Sequence, residues 1–203
     1  MSSAVLLRTP PWPAWCLLSG GIAMVGLWLV FTASHGPTSF NENNLIAGRD
    51  MHFWGLLLGV VPNILVVSGL IGLRKALVGG ASRLAVVGYV AAVLALAASA
   101  ALDLYSGALA PPIFLPVVGA GLLLFGLTPR ASDGPMRRWD VARVMSAIGI
   151  VLLVAFVIAW IPVDVTDGFG GFRIYGALAH LAAGVGWVAV GGLVLGGGRV
   201  ERA

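Results

Sequence analysis

The chain has 203 residues, of which 59% are hydrophobic and only 10% are charged. A soluble domain of this size usually carries about 25% charged residues, so the composition argues against a water-soluble globule. The mean hydropathy of +0.99 is typical of a chain folded in lipid. The formal net charge of +4 does not indicate a nucleic-acid partner, because the basic residues are spread over short connections between apolar runs.

Six apolar runs are each long enough to cross a bilayer, since a hydrocarbon core about 30 Å thick needs roughly 20 helical residues. They are residues 14–32, 53–73, 84–102, 107–127, 142–161 and 174–195. None alternates strictly between apolar and polar residues, as the strands of a membrane barrel do. The sequence therefore predicts an all-α, polytopic integral membrane protein, with residues 1–203 forming a single domain of six transmembrane helices.

The basic residues predict the orientation of these spans. Of the 12 Lys and Arg residues, all but Arg49 and Arg173 fall in the terminal tails, in the second-to-third and fourth-to-fifth connections, or at the start of the fifth span. Because Lys and Arg accumulate on the cytoplasmic side, both termini are predicted to lie in the cytoplasm. The expected location is the cell inner (plasma) membrane. The charge bias alternates through all six spans, which also supports their number.

Tryptophan residues are placed consistently with these spans. Five of them lie near predicted membrane interfaces, where amphipathic rings prefer to be: Trp12, Trp15, Trp54, Trp139 and Trp160. Trp28 and Trp187 lie deeper, and we expect them to pack between helices or against acyl chains.

His180 is the only ionisable residue well inside a predicted span. Gly176 and Gly184, four residues to either side, share its helix face. Such a stripe predicts close approach of another helix, with the imidazole hydrogen-bonded across the gap. The alternative is a metal or haem ligand, or an acid/base group. His52 could complete a haem pair with His180, but its position favours an interfacial histidine.

Acidic residues form no part of the predicted spans. Intramembrane Asp, Glu and Lys mark ion pathways, so their absence argues against a proton- or sodium-driven pump. Several acids instead fall at the outer ends of the spans. The candidate ligand-binding residues are His180, His52, Asp103, Glu42, Asp164, Asn63 and Tyr105. The simpler interpretation is that outer connections merely lack Lys and Arg. No catalytic or metal-ligating residue is assigned.

Prolines interrupt two of the spans. Pro62 and Asn63 break the second, and the outer half of the fourth contains Pro111, Pro112 and Pro116. Kinked spans can open a cavity between helices, here one facing outward beneath the acidic residues. The alternative is that these are packing kinks without a ligand.

No catalytic motif supports an enzyme class, and the sequence identifies no cofactor. The leading hypothesis is a non-catalytic membrane protein: an accessory subunit, or a binder of a lipid or other small hydrophobic ligand at an outward-facing site. Its partners would be the bilayer and another membrane protein or a second copy of the chain. One alternative is an intramembrane enzyme acting on an isoprenoid or lipid. Another is a facilitator for a small neutral solute, lined by Asn63 and Ser68.

Overall fold

A computed structural model describes residues 11–35, 45, 47–107, 113–128, 137–159 and 175–200 of the chain. The regular structure of this part is entirely helical. In chain order the helices are α1 (Trp12–His35), α2 (residues 51–78), α3 (Arg83–Ser106), α4 (Leu115–Leu127), α5 (Arg137–Ala159) and α6 (residues 175–200). Five of them are long and apolar enough to cross a membrane, and α4, with 13 residues, is shorter. The all-α prediction is confirmed, and the helices are compatible with a membrane bundle.

The helices form a closed ring. Each packs against the next in sequence, and α6 returns to pack against α1. Neighbours are antiparallel: Gly20 of α1 lies by Pro62 of α2, whereas Gly69 lies by Pro13. One end of the ring therefore collects the ends of α1, α3 and α5 and the beginnings of α2, α4 and α6. We call this the cavity end, for the cavity described below, and the opposite end the packed end.

Glycines let the backbones of neighbouring helices touch. A Cβ added at Gly88 of α3 would lie 2.7 Å from the carbonyl oxygen of Gly121 in α4. A Cβ at Gly149 of α5 would lie 2.6 Å from the carbonyl oxygen of Gly119. Small residues at such contacts are how membrane helices associate, since van der Waals packing replaces the hydrophobic effect between them.

The outer surface of the ring is apolar. Ile22, Ile71, Leu94, Val157 and Val185, on five different helices, each expose more than half of their surface. Helices that are apolar both inside and outside a bundle suit a lipid environment rather than water. This surface agrees with the membrane assignment made from composition.

The junction between α3 and α4 differs from the prediction. α3 continues to Ser106 and is ended by Gly107, whose φ of 63° is left-handed. Gly107 was predicted to begin the fourth span, and this was wrong, because it caps the third helix. Pro116 lies in the first turn of α4, where a missing N–H costs nothing, rather than kinking the helix. Pro111 and Pro112 lie outside the described residues.

Two π-helical turns interrupt the α-helices α2 and α6 in their halves near the cavity end. The first, Leu56–Val60 in α2, directly precedes the α-helical segment that starts at Val61 and contains Pro62. Because Pro62 has no N–H, it cannot pair with the carbonyl four residues earlier, and Val61 N–H instead reaches back to the Leu56 carbonyl. The predicted interruption of the second span is confirmed. The second π turn, Ala177–Ala182 in α6, contains no proline.

Candidate functional site

A cavity of about 80 Å³ lies on the axis of the ring at the cavity end. We call it the axial cavity. Every one of the six helices contributes at least one lining residue. Among the described residues of the wall most are apolar, and the polar side chains are those of Asn63, Ser99, Asp103, Tyr175 and His180. The volume is enough for a few water molecules or a small ligand. Three of the seven predicted site residues are thus brought to one place: Asn63, Asp103 and His180.

Asp103 is the acidic residue among the described residues that line this cavity. It is 5% exposed and lies inside α3, within the stretch Arg83–Ser106 that is long and apolar enough to span a membrane. The prediction that no acid lies within a span was therefore wrong, because α3 continues about one turn beyond the predicted end. With Asp103 inside α3, the acidic residues no longer argue against a proton- or sodium-driven pump. An acidic residue within a membrane span would mark a candidate functional site.

The Asp103 carboxylate is seated against the backbone of α2. A Cβ added at Gly59, in the first π turn, would overlap its Oδ2 atom. A larger residue at this position would meet the carboxylate where the two helices approach each other. Asp103 thus contacts the first π turn of α2, and it lines the cavity together with Tyr175 of α6.

His180 is oriented by two contacts. Its Nδ1–H donates to the Gly176 carbonyl oxygen at 3.2 Å. Because a carbonyl only accepts, this bond fixes the tautomer of the neutral imidazole, with the proton on Nδ1 and the lone pair on Nε2. The ring also stacks on Trp28, with centroids 5.0 Å apart and planes inclined by 9°. The imidazole therefore has one defined position at the cavity wall.

The glycines flanking His180 are contact points with α1. A Cβ at Gly176 would overlap the ring of Trp28, and a Cβ at Gly184 would lie 2.9 Å from the Gly21 carbonyl oxygen. The predicted close approach of a neighbouring helix is confirmed. The predicted hydrogen bond across that gap is wrong, since His180 bonds to Gly176 of its own helix. The imidazole satisfies the carbonyl of the residue that directly precedes its π turn.

The side chain of Asn63 is hydrogen-bonded to the first π turn. Its Nδ2–H donates to the Gly59 carbonyl oxygen at 2.7 Å. Both π turns line the cavity, the first through Leu58 and Gly59 and the second through Ala179 and His180. Such turns occur frequently at functional sites, because the wider turn redirects side chains and backbone groups. Here they aim the polar groups of α2 and α6 at the ring axis.

The other predicted site residues lie elsewhere. His52 is exposed, and its Nδ1–H donates to the Gly107 carbonyl oxygen at 2.9 Å, joining the start of α2 to the end of α3. It does not line the cavity, so the structure does not bring the two histidines to one haem site. Tyr105 is 92% exposed and points away from the ring. Glu42 and Asp164 lie outside the described residues.

Sequence reasoning missed Ser99 and Trp187 as site residues. Ser99 precedes Asp103 by four residues and Trp187 follows His180 by seven, so each shares a helix face with a predicted site residue. This spacing was the available indication. Tyr175 was not selected either. It lines the cavity one turn before His180.

A second cavity of about 240 Å³ lies between α2 and α3. We call it the lateral groove. Its walls are almost entirely apolar: Val60, Ile64, Val67, Ser68, Ala97, Ala100, Ala101 and Leu104. Ser68, expected to continue a polar path from Asn63, belongs to this groove and not to the axial cavity.

Comparisons with protein-family models, with curated proteins and with solved structures found no match. Within the described ranges, no group of three or more His, Cys, Asp and Glu residues is placed to hold a metal ion. The function of the axial cavity is therefore argued from its own geometry.

Proposed function

We propose that this chain is a six-span plasma-membrane protein with both termini in the cytoplasm, which binds a small ligand in the axial cavity without transforming it. One observation supports this most strongly: an apolar ring of helices gathers Asn63, Asp103 and His180 around one cavity. Polar groups inside a bilayer are costly, and their collection at one point favours a binding site over incidental packing. Under the predicted topology the cavity end faces outward.

The size of the cavity favours a small ligand. Sites for drug-sized molecules enclose roughly 300–1,000 Å³, whereas the axial cavity measures about 80 Å³. A whole lipid is too large for it. A compact polar molecule, or the polar end of a lipid that approaches from the cavity end, would fit.

The position of His180 favours binding over catalysis. In hydrolytic triads a carboxylate orients the imidazole by accepting its Nδ1–H. Here that hydrogen goes to the Gly176 backbone carbonyl, so Asp103 does not serve in this role. The enzyme alternative also relies on Glu42 and Asp164, which are outside the described part of the chain.

The packed end favours binding over transport. Large apolar side chains fill the bundle there, including Leu70, Phe125 and Met145, each fully buried. The hydroxyl of Tyr89 is committed to the Leu70 carbonyl oxygen. A facilitator needs a polar path through this region, and a binder does not.

Native mass spectrometry on protein purified in mild detergent tests the proposal. Ser99→Leu would fill part of the axial cavity, and Ser68→Leu is its matched control, because both are half-buried serines on adjacent helices. We expect a bound ligand in the wild type and in Ser68→Leu, and its loss in Ser99→Leu. Equal retention in both variants, or no ligand in any sample, would contradict binding in this cavity.

Cysteine labelling tests the topology. Gly48 and Gly80 lie in connections at opposite ends of the ring, both have positive φ, and neither would bring a Cβ within 4 Å of another group. In a Cys16→Ala background, we expect a membrane-impermeant maleimide added to intact cells to label Gly48→Cys and to spare Gly80→Cys. The reverse pattern would invert the topology, and labelling of both would refute the bilayer placement.

A further inference from the structure

We propose that the axial cavity and the lateral groove together hold one lipid, with its compact polar end in the axial cavity and an acyl chain in the lateral groove. This inference rests on the proposed binding function and specifies its ligand as an amphiphile rather than a free polar molecule. It follows from the wall that the two cavities share, from the dimensions of the groove and from the place where the groove meets the polar groups.

The two cavities are lined by neighbouring residues of the same two helices. From α2 and α3, the residues that line the axial cavity include Gly59, Asn63, Leu96, Ser99 and Asp103. The residue that directly follows each of them lines the lateral groove: Val60, Ile64, Ala97, Ala100 and Leu104. Consecutive residues of a helix point about 100° apart, so each pair faces both cavities from one place on the backbone. The seam between α2 and α3 is therefore the wall between the axial cavity and the groove.

Gly59 makes this wall thin. At Gly59, α2 contributes no side chain, and the Asp103 carboxylate of α3 packs directly against the backbone. Val60 and Ala100 form the floor of the groove, since they are only 7% and 4% exposed, whereas Leu104 at its rim is 58% exposed. The groove is thus open on the outer, apolar surface of the ring and reaches inward to the residues that adjoin the axial cavity.

The groove has the length and the lining for an acyl chain. It extends along α2 from Val60 to Ser68, about 12 Å at 1.5 Å per helical residue. One leaflet provides about 15 Å of hydrocarbon, half of the 30 Å core of a bilayer. The space exists because three positions of α3 that line the groove are small: Ala97, Ala100 and Ala101. A chain that runs parallel to the helices therefore matches the groove in length, and its methylenes match the apolar walls.

The groove begins beside the polar groups of the axial cavity. Leu104 lies two residues before Ser106, the last residue of α3, whereas Ser68 lies at the end of the groove nearer the packed end. A lipid with its chain in the groove would therefore have its polar end at the level of Asp103. The axial cavity of about 80 Å³ admits a group the size of a few water molecules, such as glycerol. Ser68→Leu would meet only the tip of the chain, so retention of the ligand in that variant is still expected.

Native mass spectrometry of the detergent-purified protein with added monodecanoylglycerol, a lipid with one chain and a compact polar end, tests the inference. Ala101→Leu places a branched side chain in the groove at an exposed position, where it should not disturb folding. Its matched control is Ala147→Leu, at an exposed alanine of α5. We expect Ala101→Leu to weaken binding at least about tenfold, because the chain would be overpacked against the added side chain, and Ala147→Leu to leave it unchanged.

Photo-cross-linking tests whether one molecule occupies both cavities. With a monoacylglycerol that carries a diazirine near the middle of its chain, we expect adducts within residues 60–68 and 97–104 of the wild type. Ser99→Leu fills part of the axial cavity and leaves the groove open. We expect this variant to lower the adducts several-fold, because a ligand held at two linked positions is released more readily when one of them is lost. Equal adducts in Ser99→Leu and in the wild type would overturn the inference.

The outcomes separate this inference from the proposed function. A ligand that is lost in Ser99→Leu but kept in Ala101→Leu overturns the inference and leaves binding in the axial cavity intact. A wild type that retains a polar ligand from the cell but binds no monodecanoylglycerol has the same meaning. Lipid that is lost in Ala101→Leu but kept in Ser99→Leu lies only in the groove and overturns both. Retention in both variants, or no ligand in any sample, also removes both.

Discussion

The two ends of the helix ring differ in what occupies the axis between the helices. At the packed end, helices touch through glycine backbones and apolar side chains occupy the axis, as at Gly88 and Gly121. At the cavity end, the two π turns, residues 56–60 and 177–182, widen the helices and turn polar groups inward. One apolar ring of helices can therefore be closely packed at one end and enclose a polar cavity at the other.

Aromatic side chains pack tightly beside the cavity without filling the axis of the ring. A cluster of Trp28, Phe31, Trp54 and Leu58 lies beside the cavity, each residue at most 3% exposed. Trp28 packs between helices, as one of the two expectations for it stated. Trp54 was expected at the membrane interface and is instead buried against Phe31, with ring centroids 5.4 Å apart. This cluster supports the His180 ring through Trp28.

The largest effect on stability is expected at the packed end. In Gly88→Ala the new methyl group meets the backbone of α4, which cannot move without displacing the helix. We expect the free energy of unfolding in detergent to fall by about 2 kcal/mol. Gly26→Ala is the control, because a Cβ there meets nothing within 4 Å. Equal stability of the two variants would show that the glycine contact is not close.

The same substitution at the cavity end should separate stability from binding. In Gly59→Ala the new methyl group meets the Asp103 side chain, which can rotate away more cheaply than a backbone can move. We expect a smaller loss of stability, about 1 kcal/mol, with loss of the bound ligand in native mass spectrometry. A variant that keeps its ligand would show that the position of Asp103 is unimportant for binding.

Asn63→Leu tests the hydrogen bond between the Asn63 side chain and the first π turn. The substitution removes the donor to the Gly59 carbonyl, and we expect unfolding to become easier by about 1 kcal/mol. Ser68→Leu, on the same helix but in the lateral groove, is the control in a chemical-unfolding series. If the control is destabilised equally, the cost comes from added volume and not from the lost bond.

The smallest effect is expected at Tyr105. Because this side chain is 92% exposed, Tyr105→Ala should change the free energy of unfolding by less than about 0.5 kcal/mol and leave ligand retention unchanged. A loss of ligand in this variant would show that the binding site extends to Tyr105.

Sequence patterns predicted the helical character and the approximate limits of most helices, because apolar runs of membrane length have few other structures open to them. The candidate site was harder to predict from the sequence. Asp103 was placed beyond its span because one extra helical turn, ended by Gly107, cannot be located from hydropathy. The π turn around His180 contains no proline, so the sequence did not indicate it. Neither the tautomer of His180 nor its contact with Trp28 could be predicted. In α2, by contrast, Pro62 did indicate an interruption of the helix.

An experimental density map of the protein in lipid nanodiscs would show directly whether the axial cavity holds a ligand. We expect non-protein density in the axial cavity, within hydrogen-bonding distance of Asp103 and His180, with the lateral groove occupied only by acyl chains. A cavity closed by side chains, or a ligand bound only in the lateral groove, would contradict this expectation.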